Sequence, residues 1–138
     1  MENKKTISIK KDVEQYFAFL YSKGFSIRSV EYSSQYFGNW VVTFESPTIV
    51  IFITSDRNYL ILELSSQKDL NVKNRITIEN IIYSLSKGKV VAERFQGSPI
   101  WGKKKQFERL AKLLEKYIDE IIPCFDNKDG KFLIPNRI

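Results

Sequence analysis

Apolar positions along the chain repeat with two different periods, and each change of period marks a new element. Over residues 9–22, Ile9, Val13, Tyr16, Phe17, Leu20 and Tyr21 recur three or four apart, the spacing of one helix face. Gly24 follows, where a left-handed cap carries no side-chain penalty. Phe25, Ile27, Val30 and Tyr32 then predict one or two short extended pieces. Residues 39–45 alternate strictly, with Trp40, Val42 and Phe44 on one side and Val41, Thr43 and Glu45 on the other. Pro47 interrupts a hairpin connection. TIVIFIT at 48–54 is β-branched and apolar on both faces, as a central strand is. The polar SDRN at 55–58 predicts a turn, and YLILEL at 59–64 the antiparallel partner strand.

Helical spacing returns after the polar, loop-like SSQKDLNVKNR. Residues 77–86 predict a short helix, with Thr77 as N-cap, Ile78, Ile81, Ile82 and Leu85 on one face, and Gly88 behind its end. A short strand at 89–95 is expected before a Gly-Ser-Pro break. Residues 103–122 carry an unbroken stripe of Phe107, Leu110, Ala111, Leu114, Tyr117, Ile118, Ile121 and Ile122, which Pro123 is expected to end. An irregular tail follows from about 123, with a turn at Asp129-Gly130 and an apolar patch at 132–134.

This order predicts an α+β fold in a single domain over residues 1–138. It comprises an N-terminal helix, an antiparallel meander of three to four strands, a short helix, and a long C-terminal helix packed on one sheet face. The helices are expected on the face of Trp40, Val42, Phe44, Ile49, Ile51, Ile53, Leu60, Leu62 and Leu64. The opposite face holds Val41, Thr43, Glu45, Val50, Phe52, Tyr59, Ile61 and Glu63, and is neither cleanly polar nor cleanly apolar. Either a loop, the helix at 77–86 or the tail covers it, or it meets a partner. Glu45, Phe52, Tyr59 and Glu63 are its candidate contacts. Glu45 and Glu63 share that face, but no electrophile or cleft makes an acid/base pair of them.

Composition narrows the chemistry. Histidine is absent and Cys124 is the one cysteine. Ser-His-Asp and Cys-His nucleophiles, an intrachain disulfide and the usual nitrogen and sulfur zinc sites are therefore excluded. DNKDG at 126–130 lacks the alternating ligands of a calcium loop and reads as a turn. No catalytic residue, metal or cofactor is expected. The N-terminal residues show no signal-peptide pattern, and no apolar run is long enough to span a bilayer, so a cytoplasmic protein without membrane contact is expected.

The net charge of +6 is unevenly placed. Residues 13–66 are slightly acidic, whereas 67–105 carry nine bases against Asp69, Glu79 and Glu93. Within that basic segment, Lys103, Lys104 and Lys105 open the long helix behind Trp101. Bases at a helix N-terminus oppose its dipole, yet with the free amides of the first turn they form an anion- or acidic-partner-binding corner. The rest of that helix alternates acids and bases, with Glu108–Lys112 and Lys116–Glu120 spaced as supporting pairs, so solvated charge is the plainer reading. Nucleic-acid binding is not expected from so few phosphate contacts.

A helix ending in FLYSKGF, the meander WVVTFESPTIVIFITSDRNYLILEL and a closing FERLAKLLEKYIDEII form an order of elements, over 9–122, that resembles small bacterial α+β proteins. Some of these are uncharacterised and others are immunity proteins of polymorphic toxin systems. The resemblance implies a non-enzymatic inhibitor that binds one cognate toxin, and it carries over no individual residue. A basic nuclease toxin would have to meet the acidic region at 31–63; an acidic toxin would suit 67–105. The resulting expectation is a protein-interaction module of this immunity type, with a protein partner such as a toxin domain, or a homodimer. The alternative is a weak nucleic-acid or anion binder using 67–105.

Overall fold

Alternation buries one side of the second and fourth strands most fully, whereas the central third strand is buried on both sides over residues 49–53. The computed structural model of the chain, which describes residues 3–92 and 102–135, forms an antiparallel sheet of five strands in the order β1-β2-β3-β4-β5. These are β1 (Ser26–Ser33), β2 (Asn39–Glu45), β3 (Ile49–Asp56), β4 (Tyr59–Ser66) and β5 (Ile76–Thr77). The register sets Val42 beside Ile53 and Leu62, and Phe44 beside Ile51 and Leu64, all on one face. Each of these side chains is at most 1% exposed, a burial that contributes about 1.5–3 kcal/mol apiece relative to exposure.

The helices α1 (Lys4–Phe17), α2 (Phe19–Ser22), α3 (Ile78–Leu85) and α4 (Gly102–Phe125) bury their stripes in the core cluster on that face. Trp40 and Tyr16 both stack on Phe107, with ring centroids 6.2 and 5.0 Å away, tying β2 and α1 to α4. Phe132 packs on Phe125 (5.5 Å), so the tail also joins the helical layer. The α+β architecture is as the sequence predicts.

Several boundaries differ. The first helix begins at Lys4, capped by the Asn3 side chain accepting from Thr6 N at 2.8 Å. Its exposed first turn lacks the stripe that would have marked it. It breaks at Ala18, where Tyr21 N bonds Ala18 O in a tighter three-residue step. Gly24 ends α2 at φ 91, and Phe25 N closes back on Leu20 O at 3.1 Å. Pro123 does not end α4. A proline loses its own N–H bond, here to the Asp119 carbonyl, and its ring crowds that carbonyl, yet the helix runs on to Phe125. The extended pieces after Gly24 are one strand with a bulge between Ile27 and Ser29. Residues 67–75 hold a 3-10 turn (Val72–Asn74) and lead into β5. No strand forms at 89–92, and the rest of the strand expected there, 93–95, lies outside the described residues.

Candidate functional site

The lysine run divides as soon as it is placed on α4. Lys103 lies four residues before Phe107, on the buried stripe. Its Nζ donates to Ser55 Oγ at 2.6 Å and sits 5.0 Å from the Trp40 ring centroid. Burial, reinforced by repulsion from Lys5 and opposed by Asp12, holds this ammonium below its ordinary pKa. Lys104 and Lys105 are exposed. Trp101, the expected stacking partner, lies outside the described residues. The three lysines therefore do not face one way, and one of them is bound to the sheet. Neither Glu108–Lys112 nor Lys116–Glu120 reaches ion-pair distance among the described residues. Instead α4 is tied by Lys23–Asp119 (2.9 Å) and by the nearly buried Arg109–Glu79 pair (3.0 Å).

On the outer sheet face Val50, Ser65 and Thr43 are buried, whereas Val41, Thr54 and Ile61 are part-exposed. The two ends of that face differ. At the end away from the β3–β4 turn, Phe52 is 7% exposed, with the Arg75 guanidinium 3.6 Å above its ring centre. Nearby, Gln67 Nε2 donates to Glu45 Oε1 at 2.9 Å, and Arg28 lies 3.9 Å from the same carboxylate. Glu45 aligns with Val50 and Ser65, whereas Glu63 aligns with Phe52. The two glutamates are thus two strands apart and out of step, and they do not form a carboxylate pair. Tyr59 starts β4 beside Asp56 and is 43% exposed.

At the turn end the face is open. Val41, Thr54 and Ile61, adjacent on successive strands, line a hollow of about 490 Å³ together with Glu31, Asp56 and Glu63. The Glu31 and Glu63 carboxylates make no hydrogen bond or ion pair within the described residues. Asp56 accepts from Asn39 Nδ2 at 3.1 Å, and Asn39 Oδ1 accepts from Arg57 N at 2.8 Å, which locks the two turns together. The β1–β2 turn projects Tyr36, another lining residue, and Phe37, which are 65% and 80% exposed. Phe37 is held at φ 58, in the left-handed region that a bulky side chain avoids, with the Arg57 guanidinium 5.9 Å from its ring centroid. Sequence patterning marked the strand residues Val41, Ile61 and Glu63 as outward-facing, but it assigned Glu31 to neither face. It gave no signal that this turn would fold toward them.

Chemistry in the usual sense finds little support elsewhere. Cys124 is buried, its Sγ donates to Glu120 O at 3.3 Å, and burial followed by the Glu120 charge pushes its pKa up, away from a reactive thiolate. DNKDG closes as a turn, Gly130 N bonding Asn127 O at 3.2 Å. Among the described residues no three acidic or cysteine side chains converge as a metal site, and no helix is long and apolar enough to cross a membrane. No protein-family model, curated protein or solved structure matches the chain.

Proposed function

We propose that the chain is a non-enzymatic protein-interaction module that docks a protein partner on the turn end of its outer sheet face. The observation that carries this reading is the pair Tyr36 and Phe37, held in water on a turn with positive φ at the lip of the hollow. Such side chains add little to folding, and left-handed backbone costs about 1–2 kcal/mol for a non-glycine residue. Contact with a partner returns that cost, since aromatic anchors dominate interface energetics.

The hollow favours a basic partner. Val41 and Ile61 suit the aliphatic stem of an arginine or lysine, and Glu31 and Glu63 suit its head. The order of elements that resembles immunity proteins supports an inhibitor that occludes a toxin. A nuclease toxin, with a basic surface for its nucleic acid, fits these carboxylates.

The test is to isolate the chain with its bound protein from the source cell, identify that protein, and titrate it in purified form. Tyr36→Ala, Phe37→Ala and the double change Glu31→Lys with Glu63→Lys are each expected to weaken binding roughly 30-fold or more. Lys104→Ala with Lys105→Ala should leave affinity within about threefold. Unchanged affinity in folded outer-face variants refutes the reading. If the partner is a toxin, growth protection on co-expression should be lost in the same variants.

A further inference from the structure

The sheet ends at β1, and nothing among the described residues pairs with its far side. The phase of the ladder fixes which backbone groups are left over. Ser46 N bonds Ile49 O at 2.9 Å, so the hydrogen-bonded rungs between β2 and β3 fall at Phe44–Ile51, Val42–Ile53 and Trp40–Ser55. Val41 and Thr43 therefore turn their backbone groups toward β1, to Glu31 and Ser29. Val30 and Tyr32 alternate with those two, so each points its N–H and C=O off the sheet. Among the described residues no other element bonds these groups, and no residue of β1 is buried, so they are open to solvent. A strand edge of this kind is a template for another strand. The bulge between Ile27 and Ser29 interrupts it at one end, and the β1–β2 turn at the other. Between them, residues 29–33 hold neither proline nor lysine to blunt it.

Charge decides what fits there. A second copy would have to match Val30 and Tyr32 with their own counterparts. Val30 against Tyr32 sets the two Glu31 side chains directly opposite, a destabilising like-charge pair. Val30 against Val30 brings Tyr32 to Arg28, at the bulge, where regular pairing fails. Tyr32 against Tyr32 runs Val30 out to Ser34, past the end of the strand. A foreign strand avoids all three. Its residue opposite Glu31 points to the outer face, at the rim of the hollow that Glu31, Tyr32 and Ser33 line, and the unpaired Glu31 carboxylate favours a lysine or arginine in that place. Its residues opposite Val30 and Tyr32 point to the helical side, where those two pack against the core and Lys5 Nζ lies 5.7 Å from the Tyr32 ring centroid. Apolar side chains suit that side, and Lys5 repels bases from it.

We propose that the free edge of β1 takes an extended segment of the protein partner as an added antiparallel strand, with a lysine or arginine opposite Glu31 and an apolar residue on either side of it. This rests on the outer face being the docking surface, and it specifies how the basic side chain reaches the hollow: from a strand laid along its rim.

The probe is the capped peptide acetyl-Thr-Val-Lys-Val-Thr-amide, titrated into the isotopically labelled native chain and followed by nuclear magnetic resonance. In the free chain the Val30 and Tyr32 amides are expected to exchange with solvent faster than those of Ser29 and Glu31. Peptide should shift both saturably and slow their exchange. N-methylation of its two valines, whose N–H groups face the chain, should abolish binding, whereas N-methylation of the lysine, which faces away, should not. Glutamate in place of that lysine should weaken binding about 3- to 10-fold, and Glu31→Lys should reverse the preference. Val30→Pro, tolerated on an edge whose N–H faces solvent, should fold and lose binding; if it unfolds, the methylated peptides carry the same test. Equal protection of all four amides in the free chain, no saturable shift at millimolar peptide, binding that survives valine methylation, or indifference to glutamate for lysine overturns the proposal. So does protection of Val30 and Tyr32 that grows with chain concentration in the absence of peptide, which would give the edge to a second copy. The peptide requires no contact with Tyr36 or Phe37, so its failure leaves the docking face to be judged by those variants, and their failure leaves the peptide result standing.

Discussion

Replacing Gln106 by leucine removes a side chain that stands in for a missing strand. The β3–β4 hairpin turns through Arg57 and Asn58, both at positive φ (48 and 71), so Asp56 and Tyr59 close the turn as a hydrogen-bonded pair. Ser55 and Leu60 form the next, non-bonded rung, and the Leu60 N–H points away from β3. The neighbour on that side is β5, which pairs only with Glu63 and Leu64. Gln106, 2% exposed, fills the gap: its Oε1 accepts from Leu60 N at 2.7 Å and its Nε2 donates to Asn58 O at 2.8 Å. Leucine has similar volume but leaves the Leu60 amide orphaned, at about 1–3 kcal/mol, and drops the second bond, at about 0.5–1.5 kcal/mol. The expected net loss is about 2–4 kcal/mol, read from urea unfolding with an unchanged slope. At this chain length each kcal/mol lowers the thermal midpoint by about 3–5 °C. Gln106→Glu tests the donor separately. Burial raises that carboxyl's pKa, so its protonated form, which again donates to Asn58 O, should restore stability as pH falls, and the stability should be lost as pH rises through the folded pKa. A loss under about 0.5 kcal/mol for Gln106→Leu would mean the hairpin amide is satisfied in another way.

Leu114→Ala and Ile118→Ala, at two positions with 0% exposure, should each cost about 2–5 kcal/mol in chemical denaturation; an unmoved midpoint would contradict the buried face of α4. Lys103 has a folded pKa depressed by burial, so the unfolded chain binds its proton more tightly, and stability should rise with pH between the folded value and the ordinary 10.5. Lys103→Met should lack that rise, and parallel unfolding profiles for the two proteins would refute the buried ammonium. The Tyr21 phenol is pushed up to about 12 by burial, then by its 2.6 Å hydrogen bond to Glu14 and the charge of that carboxylate. Its raised value contributes stability below the ordinary 10.0 that is lost as pH rises through about 12. The near-ultraviolet difference between the native chain and Tyr21→Phe should titrate there, and Glu14→Gln should bring it down; a midpoint at the ordinary value would show the bond is not made.

Strands β2 and β4 were legible from their alternation, since a single slip would carry Val42 or Leu62 off the buried face, and β3 was legible as a β-branched run apolar on both sides. Thr77 was legible as a cap for a comparable reason, since its side chain accepts from Asn80 N at 3.3 Å in the expected N-cap geometry. What escaped had no period. The first turn of α1 is solvent-facing lysine, and β5 has two residues, too few to alternate. Lys103 was read with its neighbours as exposed charge, and Gln106 was not singled out, although both adjoin Phe107 on α4. A polar residue in line with a stripe signals a buried tether as readily as an end of the stripe. For the outer face, the strand residues could be assigned to a side, but the hollow depends on the turn at 34–38, whose shape is set by Phe37 and Gly38 at positive φ.

The sheet pairs its strands in the order they are made, while the helix that covers most of them is made last. The hairpins β2–β3 and β3–β4 are complete once residue 66 exists, but α4 ends at Phe125. At translation rates of about 5–20 residues per second, Trp40, Ile51 and Leu62 wait roughly 3–12 s for their cover. Hairpins form in about 1–10 μs, so a ready-made apolar sheet is displayed on each nascent chain for several seconds. Exposed apolar surface of this kind is where nascent chains aggregate or meet chaperones. Slower translation of the segment between β4 and α4 should lower the yield of folded chain without altering a single contact in it.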